Sequence, residues 1–159
     1  MADTMRWRYG DTNPVVIPVD SATVIEIGDL VWLDTDDAKP ASASTYGASL
    51  AAAQETFHDK FAGVAMQRSR AGDTGPIRVA TTGVFEYPCA SATFEVGARI
   101  GADDNVAGTA LVNQLVIAVA AANPERSIGS CVKRVNPADT KLLVEIVSTV
   151  TRGGPQAAA

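Results

Sequence analysis

The chain has 159 residues, the usual size of one domain, of which 47% are hydrophobic and 19% are charged. These proportions are typical of a globular protein with its own core, since a disordered chain would be more charged and less apolar. The formal net charge is -5, and acidic and basic residues are interspersed, which argues against nucleic acid as the main partner. The longest apolar run, residues 115–122, is far shorter than the ~20 residues that span a bilayer.

The N-terminus and the cysteines indicate where the chain folds. The first residues contain no apolar segment of the kind found in secretory signals. Cys89 and Cys131 lie in separate halves without CxxC spacing. They could form one bridge, but the pattern favours two small buried thiols. We therefore expect a protein that is made and folded in the cytoplasm.

Residues 1–20 differ from the rest of the chain and predict an extended N-terminal arm. Arg6, Trp7, Arg8 and Tyr9 alternate, so in an extended strand the two arginines share one face and the two aromatic rings the other. Two prolines later in the segment forbid a continuous helix. The alternative is an edge strand that folds onto its own domain, and the sequence leaves both open.

From residue 20 onward, short strand patterns follow one another, separated by turn residues. The predicted strands are residues 23–27, 30–33, 61–67, 77–80, 84–87, 96–102, 115–119, 131–135 and 141–150. Ser49 is a suitable N-cap for one short helix within residues 49–60, where apolar residues recur at helical spacing. The predicted organisation is an arm (1–20), a mainly β domain (21–150) and a flexible tail (151–159).

Two pairs of segments align between the halves of the chain and predict an internal duplication. The aligned segments are 25–34 with 94–103, and 62–68 with 128–134. Gly28 and Gly97 fall at equivalent places, where each is predicted to supply a positive φ or a tight bend between two strands. Two such units can close around one core, so we predict a small β-barrel or β-sandwich.

No catalytic, cofactor or metal motif is evident. The single histidine, His58, precedes Asp59, but no GxSxG motif supplies a nucleophile, and His58 is predicted to be a partly exposed helix residue. One histidine and two distant cysteines do not make a zinc or haem site, and no glycine-rich phosphate loop occurs. The sequence therefore predicts a protein that is not an enzyme and that binds no cofactor.

Clusters of like charge have ordinary interpretations. The acidic residues at 34–37 and 103–105 offer oxygen ligands, but neither segment completes an EF-hand loop, and Asp and Asn are common in turns. The basic residues at 68–70 and 133–134 are too few for a nucleic-acid groove. They are predicted to be solvated strand ends or ion-pair partners at an interface.

Several short segments spread over residues 15–150 carry a resemblance to a known family. They are residues 28–31, 61–65, 79–85, 96–97 and 128–129. In these segments the chain resembles the capsid cement, or decoration, proteins of tailed bacteriophages. The resemblance implies a small β domain that forms a homotrimer on the outer surface of the phage head. There it would bridge neighbouring major capsid proteins and stabilise the shell, without nucleic acid or membrane.

The arm supplies candidate contact residues for such a protein. Arginine, tryptophan and tyrosine dominate contact hot spots. We therefore predict that Arg6, Trp7, Arg8 and Tyr9 contact the capsid or a neighbouring subunit.

Two other functions remain open on the residues alone. A glycan- or receptor-binding β module could stack its ligand on Trp32 and Tyr46, although Trp32 lies in an apolar strand and is predicted to be core. A trimeric β enzyme with a shared site is the other alternative, although nothing in the sequence selects its residues. The candidates for that site are Asp34, Arg68, Asp103 and Arg134.

Overall fold

The computed structural model describes residues 4–154, which form eleven strands and two helices. The strands are β1 (Arg6–Tyr9), β2 (Val15–Ile17), β3 (Leu30–Asp34), β4 (Asp37–Pro40), β5 (Phe61–Ala65), β6 (Ile77–Ala80), β7 (Thr82–Phe94), β8 (Arg99–Asp104), β9 (Leu111–Val119), β10 (Gly129–Cys131) and β11 (Val135–Val147). The helices are α1 (Leu50–Asp59) and α2 (Thr149–Arg152). No helix in the described range is long and apolar enough to cross a membrane.

One sheet closes into a small barrel. Its six strands follow the order β1-β7-β11-β10-β8-β9, and β7 also pairs with β9 in parallel, where Cys89 faces Val116. This pairing joins five strands in a ring and leaves β1 outside it, on β7. Closure removes exposed edges from the ring. The prediction of a mainly β chain with a small barrel is confirmed.

The second sheet has five strands in the order β2-β6-β5-β3-β4. Its outer strands approach each other where the backbone N–H of Ala38 donates to Pro18 O at 2.9 Å. An apolar cluster of its own fills this sheet: Ile17, Val19, Ile25, Val31, Ala38, Ala62, Ala65, Ile77 and Val79. A larger cluster joins the barrel to α1 and to the other side of the second sheet, through Phe57, Phe61 and Phe85 among others.

The two sheets repeat one strand order, in agreement with the predicted duplication. Strands β2 to β6 occupy the same relative places in the second sheet as β7 to β11 do in the barrel. The register also repeats, because Val31 faces Gly63 in one unit and Ile100 faces Gly129 in the other. The sequence alignment pairs these same positions.

Glycines mark equivalent places in the two units. Gly28 and Gly97 have φ values of +95° and +89°, as predicted, and each precedes the second strand of its unit. At Gly63 a Cβ atom would lie 1.8 Å from Ala80 O, and at Gly129 it would lie 1.9 Å from Glu145 O. Neighbouring strands therefore pass too close for any side chain at these two positions.

A single residue, Thr81, connects the two units. It is fully buried, and its backbone N–H donates to Thr12 O at 2.8 Å while its hydroxyl donates to Asn13 O at 2.7 Å. Its carbonyl oxygen accepts a hydrogen bond from the N–H of Ser148 at 2.9 Å. The link between the units is thus bonded both to the chain before the first unit and to the chain after the second.

The predicted helix is confirmed as α1, which follows its N-cap Ser49. The hydroxyl of Ser49 accepts a hydrogen bond from the N–H of Ala52 at 3.2 Å. The expectation that His58 is partly exposed is wrong, since only 4% of its surface is accessible. The reason is tertiary: α1 packs against the 3₁₀ turn Pro124–Arg126 as well as against the core.

The N-terminal segment is extended and lies on the chain's own sheets. β1 pairs antiparallel with β7, and β2 pairs antiparallel with β6. Just before β1, the side-chain oxygen of Gln114 accepts hydrogen bonds from the N–H groups of Thr4 and Met5, at 2.9 and 3.0 Å. The structure thus has the edge-strand form of the two alternatives. The division of the chain at residues 20 and 150 stays a prediction.

Two predicted strands are corrected. Residues 23–27 form only an isolated bridge, between Ile25 and Ser69. The last strand ends at Val147, because Ser148 caps α2 by accepting a hydrogen bond from the N–H of Thr151. Most of the predicted flexible tail, residues 155–159, lies outside the described residues.

Candidate functional site

The four predicted contact residues form β1 and are all exposed. Trp7 and Tyr9 have 51% and 52% of their surface accessible, which is unusual for aromatic side chains in a strand. The indole N–H of Trp7 donates to Gly10 O at 3.3 Å. Because β7 is the only strand beside β1 among the described residues, the outer row of backbone groups of β1 faces away from the sheet.

The two arginines of β1 differ in their contacts, and Arg8 is held loosely. The Arg8 guanidinium lies 3.6 Å from the Glu86 carboxylate, and Arg6 donates to Met5 O at 2.8 Å. About half of the Arg8 side chain is exposed. Exposed pairs of this kind contribute about 0–1 kcal/mol, so the charge on Arg8 can exchange partners at little cost.

A groove of about 380 Å³ lies beside Arg8, between β1 and the first half of β11. We call it the basic groove, and it is lined by Arg8, Glu86 and most of residues 133–143. Four cationic side chains line it against two carboxylates, although the whole chain is acidic. Apolar residues, among them Val135 and Leu142, also line it. Sequence reasoning missed this groove because its two walls are distant in the chain.

Two ion pairs occupy equivalent places in the two units. Arg68 pairs with Glu26, and Arg134 pairs with Glu95 at 3.1 Å. The sequence alignment matches the two glutamates, and it also matches the two arginines. Arg68 and Arg134 thus form ion pairs within the chain, and the expectation that such pairs lie at an interface stays a prediction.

The first acidic segment forms the tip of the hairpin between β3 and β4. Asp34 faces Asp37, and Thr35 adopts a φ of +58° in the turn. Asp34 and Asp36 are exposed. Lys39, on the same hairpin, forms an ion pair with Asp20. The hydrogen bond from Lys39 lowers the pKa of Asp20 to about 2.

The second acidic segment has a different environment. Burial raises the pKa of Asp103, and Asp104 accepts a hydrogen bond from the Tyr46 hydroxyl at 2.5 Å. No group of three or more His, Cys, Asp or Glu side chains within residues 4–154 is placed to hold a metal ion. Each acidic segment lies where a strand ends at a turn.

The remaining candidates are occupied or buried. Cys89 and Cys131 are buried free thiols, as predicted, and burial raises the pKa of Cys89 to about 11, which suppresses the reactive thiolate. The Trp32 indole donates a hydrogen bond to Pro40 O at 3.0 Å. Trp32 and Tyr46 both pack against the core. Neither ring forms an open stacking platform for a glycan.

The residues proposed for a shared enzyme site have separate roles. Arg68 and Arg134 belong to different ion pairs, one in each unit. Asp103 is buried, whereas Asp34 lies on the exposed hairpin tip. The structure gives no reason to combine them into one site.

A comparison with protein families supplies the decisive observation, because a family model described as phage cement protein matches residues 44–146. The chain belongs to the phage cement protein family. Membership gives this cement protein a structural role at a bacteriophage capsid, and that role implies no catalysis. The match runs from just before α1 to the end of β11 and omits β1 to β4. A search of curated proteins gave no match.

Proposed function

We propose that this cement protein binds the outer surface of the phage head as a homotrimer. There it bridges neighbouring major capsid proteins and stabilises the shell. The observation that carries the proposal is the edge strand β1, in which Arg6, Trp7, Arg8 and Tyr9 are all exposed. These are the residue types that dominate contact hot spots, and two half-exposed aromatic rings gain most from becoming buried.

The edge strand is also ordered before it binds. Gln114 fixes the start of β1, and the pairing with β7 fixes its backbone. A preordered strand loses little conformational entropy on binding, so more of the contact energy appears as affinity. Its outer backbone groups can accept a strand from the partner, and its side chains then provide specificity.

The barrel is suited to bracing a shell. Its five strands close on themselves, and β7 and β11 pair along most of their length. A closed barrel has no free edge at which it opens strand by strand. Load applied at β1 therefore passes into the closed part of the molecule.

The test is co-sedimentation with undecorated phage shells, after the mass of the free protein has been measured by native mass spectrometry. We expect a trimer that binds at fixed stoichiometry. The double variant W7A/Y9A should bind shells at least about tenfold more weakly, since each hot-spot residue contributes about 1 kcal/mol or more.

The matched control is V106A, which removes an exposed aliphatic side chain from the loop between β8 and β9. It should bind like the wild type. The melting temperature separates contact from folding: W7A/Y9A should stay folded while it loses affinity. Unchanged binding by W7A/Y9A, or a loss explained by unfolding, would contradict the role of β1. Failure of the wild type to sediment with shells would contradict the proposed function itself.

A further inference from the structure

Two exposed surfaces of this chain carry unpaired charges of opposite sign. In the basic groove, the ammonium groups of Lys133 and Lys141 have no ion-pair partner within the described chain. Arg8 and Arg134 also line the groove, and both pairs that they form are exposed to solvent. The groove is therefore a cationic site in a chain whose formal net charge is -5.

The surface of negative charge is the hairpin tip, residues 34–37, which we call the acidic tip. It has three carboxylates within four residues, and none of them has an ion-pair partner among residues 4–154. Lys39 contacts Asp20 and Thr23, and the charges of Asp34 and Asp37 act on it only from a longer distance. A tight β-hairpin holds its terminal side chains in fixed directions, so the acidic tip presents its charges in an ordered form.

We propose that the acidic tip of one copy docks in the basic groove of a second copy. This inference rests on the self-association included in the proposed function and names the surfaces that carry it. Charge complementarity selects the occupant, because the acidic tip is narrow, exposed and opposite in charge to the groove. The groove volume of about 380 Å³ accommodates a few side chains of the tip.

The contact joins two different surfaces, so it is heterologous. Each copy uses its groove toward one neighbour and its tip toward the other. Such contacts close into a ring when the rotation between copies closes, and a trimeric ring satisfies every groove and every tip. No extra partner is needed to neutralise the groove.

The test measures self-association by sedimentation velocity over a concentration series, without shells. K133E/K141E reverses charge in the groove and makes the chain more acidic, while D34K/D36K reverses charge on the tip and makes it less acidic. Both should raise the dissociation constant by about tenfold or more. General repulsion between acidic chains predicts the opposite effect for D34K/D36K, so this variant separates a specific contact from net charge.

The quadruple variant K133E/K141E/D34K/D36K exchanges both signs in one chain and restores complementarity. It should associate within a few-fold of the wild type. D11K/E55K is the matched control, since it changes net charge as D34K/D36K does but at exposed residues outside both surfaces. It should associate at least as well as the wild type. Circular dichroism and melting temperature establish that each variant is folded.

Three results would overturn the inference. They are a wild-type protein that stays monomeric, a D34K/D36K variant that associates normally, and a quadruple variant that is no better than the double variants. Shell co-sedimentation is scored separately. A monomeric wild type that still binds shells, and loses binding in K133E/K141E, keeps the cement function but assigns the groove to the shell.

Discussion

The two units of this molecule share strand order and register, yet they differ in strand length and closure. In the first unit, β2 and β6 are short, and a single backbone hydrogen bond joins the outer strands. In the second, β7 and β11 have 13 residues each, and a parallel pairing closes the ring. The basic groove and the seat of β1 both lie on these two long strands.

The units also differ in the segment before their fourth strand. The first unit places α1 between β4 and β5, whereas the second has only the 3₁₀ turn Pro124–Arg126 between β9 and β10. These two segments pack on each other. An insertion in one unit thus covers the shorter connection of the other, which also explains why His58 is buried.

The largest expected effect comes from adding a methyl group at Gly63 and Gly129, the two glycines of the shared register. G63A and G129A each force a Cβ atom within 2 Å of a carbonyl oxygen, so we expect each to lose about 3 kcal/mol or more of unfolding free energy. Urea denaturation measures this loss. G75A is the control, because its Cβ meets nothing within 4 Å, and it should unfold like the wild type. If G129A matched G75A, the close strand approach in the barrel would be wrong.

The next prediction concerns Gln114, which has no equivalent in the first unit. Its amide donates to the Asp29 carboxylate at 2.9 Å and to Ile27 O at 3.1 Å, while its oxygen fixes the residues before β1. Q114L removes these bonds and leaves buried polar groups short of partners, so we expect a loss of about 2–3 kcal/mol. Hydrogen exchange should also become faster in β1 than in β7.

Asn113 provides the comparison for that variant. Its side-chain oxygen accepts one exposed hydrogen bond, from the N–H of Ser42 at 2.7 Å. N113A should therefore cost less than Q114L and leave exchange in β1 unchanged. Equal effects of the two variants would show that Gln114 does not organise the edge strand.

The smallest effect is a dependence of stability on pH that involves Asp20 in the first unit. The Lys39 ammonium lowers the pKa of Asp20 from 3.8 to about 2. A lowered carboxyl pKa adds stability that is present above the unfolded pKa and is lost as pH falls through the folded pKa. Stability should therefore fall between about pH 4 and pH 2, and K39M should show a smaller change over this window in thermal unfolding. An identical acid response in K39M would contradict this assignment.

Sequence reasoning succeeded where the signal is local. The N-cap Ser49 and the spacing of apolar residues gave α1, and the alignment gave both the duplicated unit and the positive φ values of Gly28 and Gly97. These features depend on residues close together in the chain or on a repeated pattern.

It failed where partners are distant in the chain. The side chain of Gln114 accepts a hydrogen bond from Thr4, which lies 110 positions away. Arg8, Glu86 and Lys141 line one groove only because β7 lies between β1 and β11. No local pattern marks such a meeting, so the basic groove and the anchoring of β1 needed the structure. Arg6, Trp7, Arg8 and Tyr9 were selected from the sequence by residue type, and their role as contacts stays a prediction.

The one-residue link at Thr81 determines how the two units move together. A hinge needs a segment whose backbone angles can change freely, but the N–H, hydroxyl and carbonyl of Thr81 are all engaged, with Thr12, Asn13 and Ser148. The units therefore cannot swing about their connection. Under the proposed bracing function, a molecule of this kind would pass strain to its contacts with the shell rather than absorb it by bending between its two units.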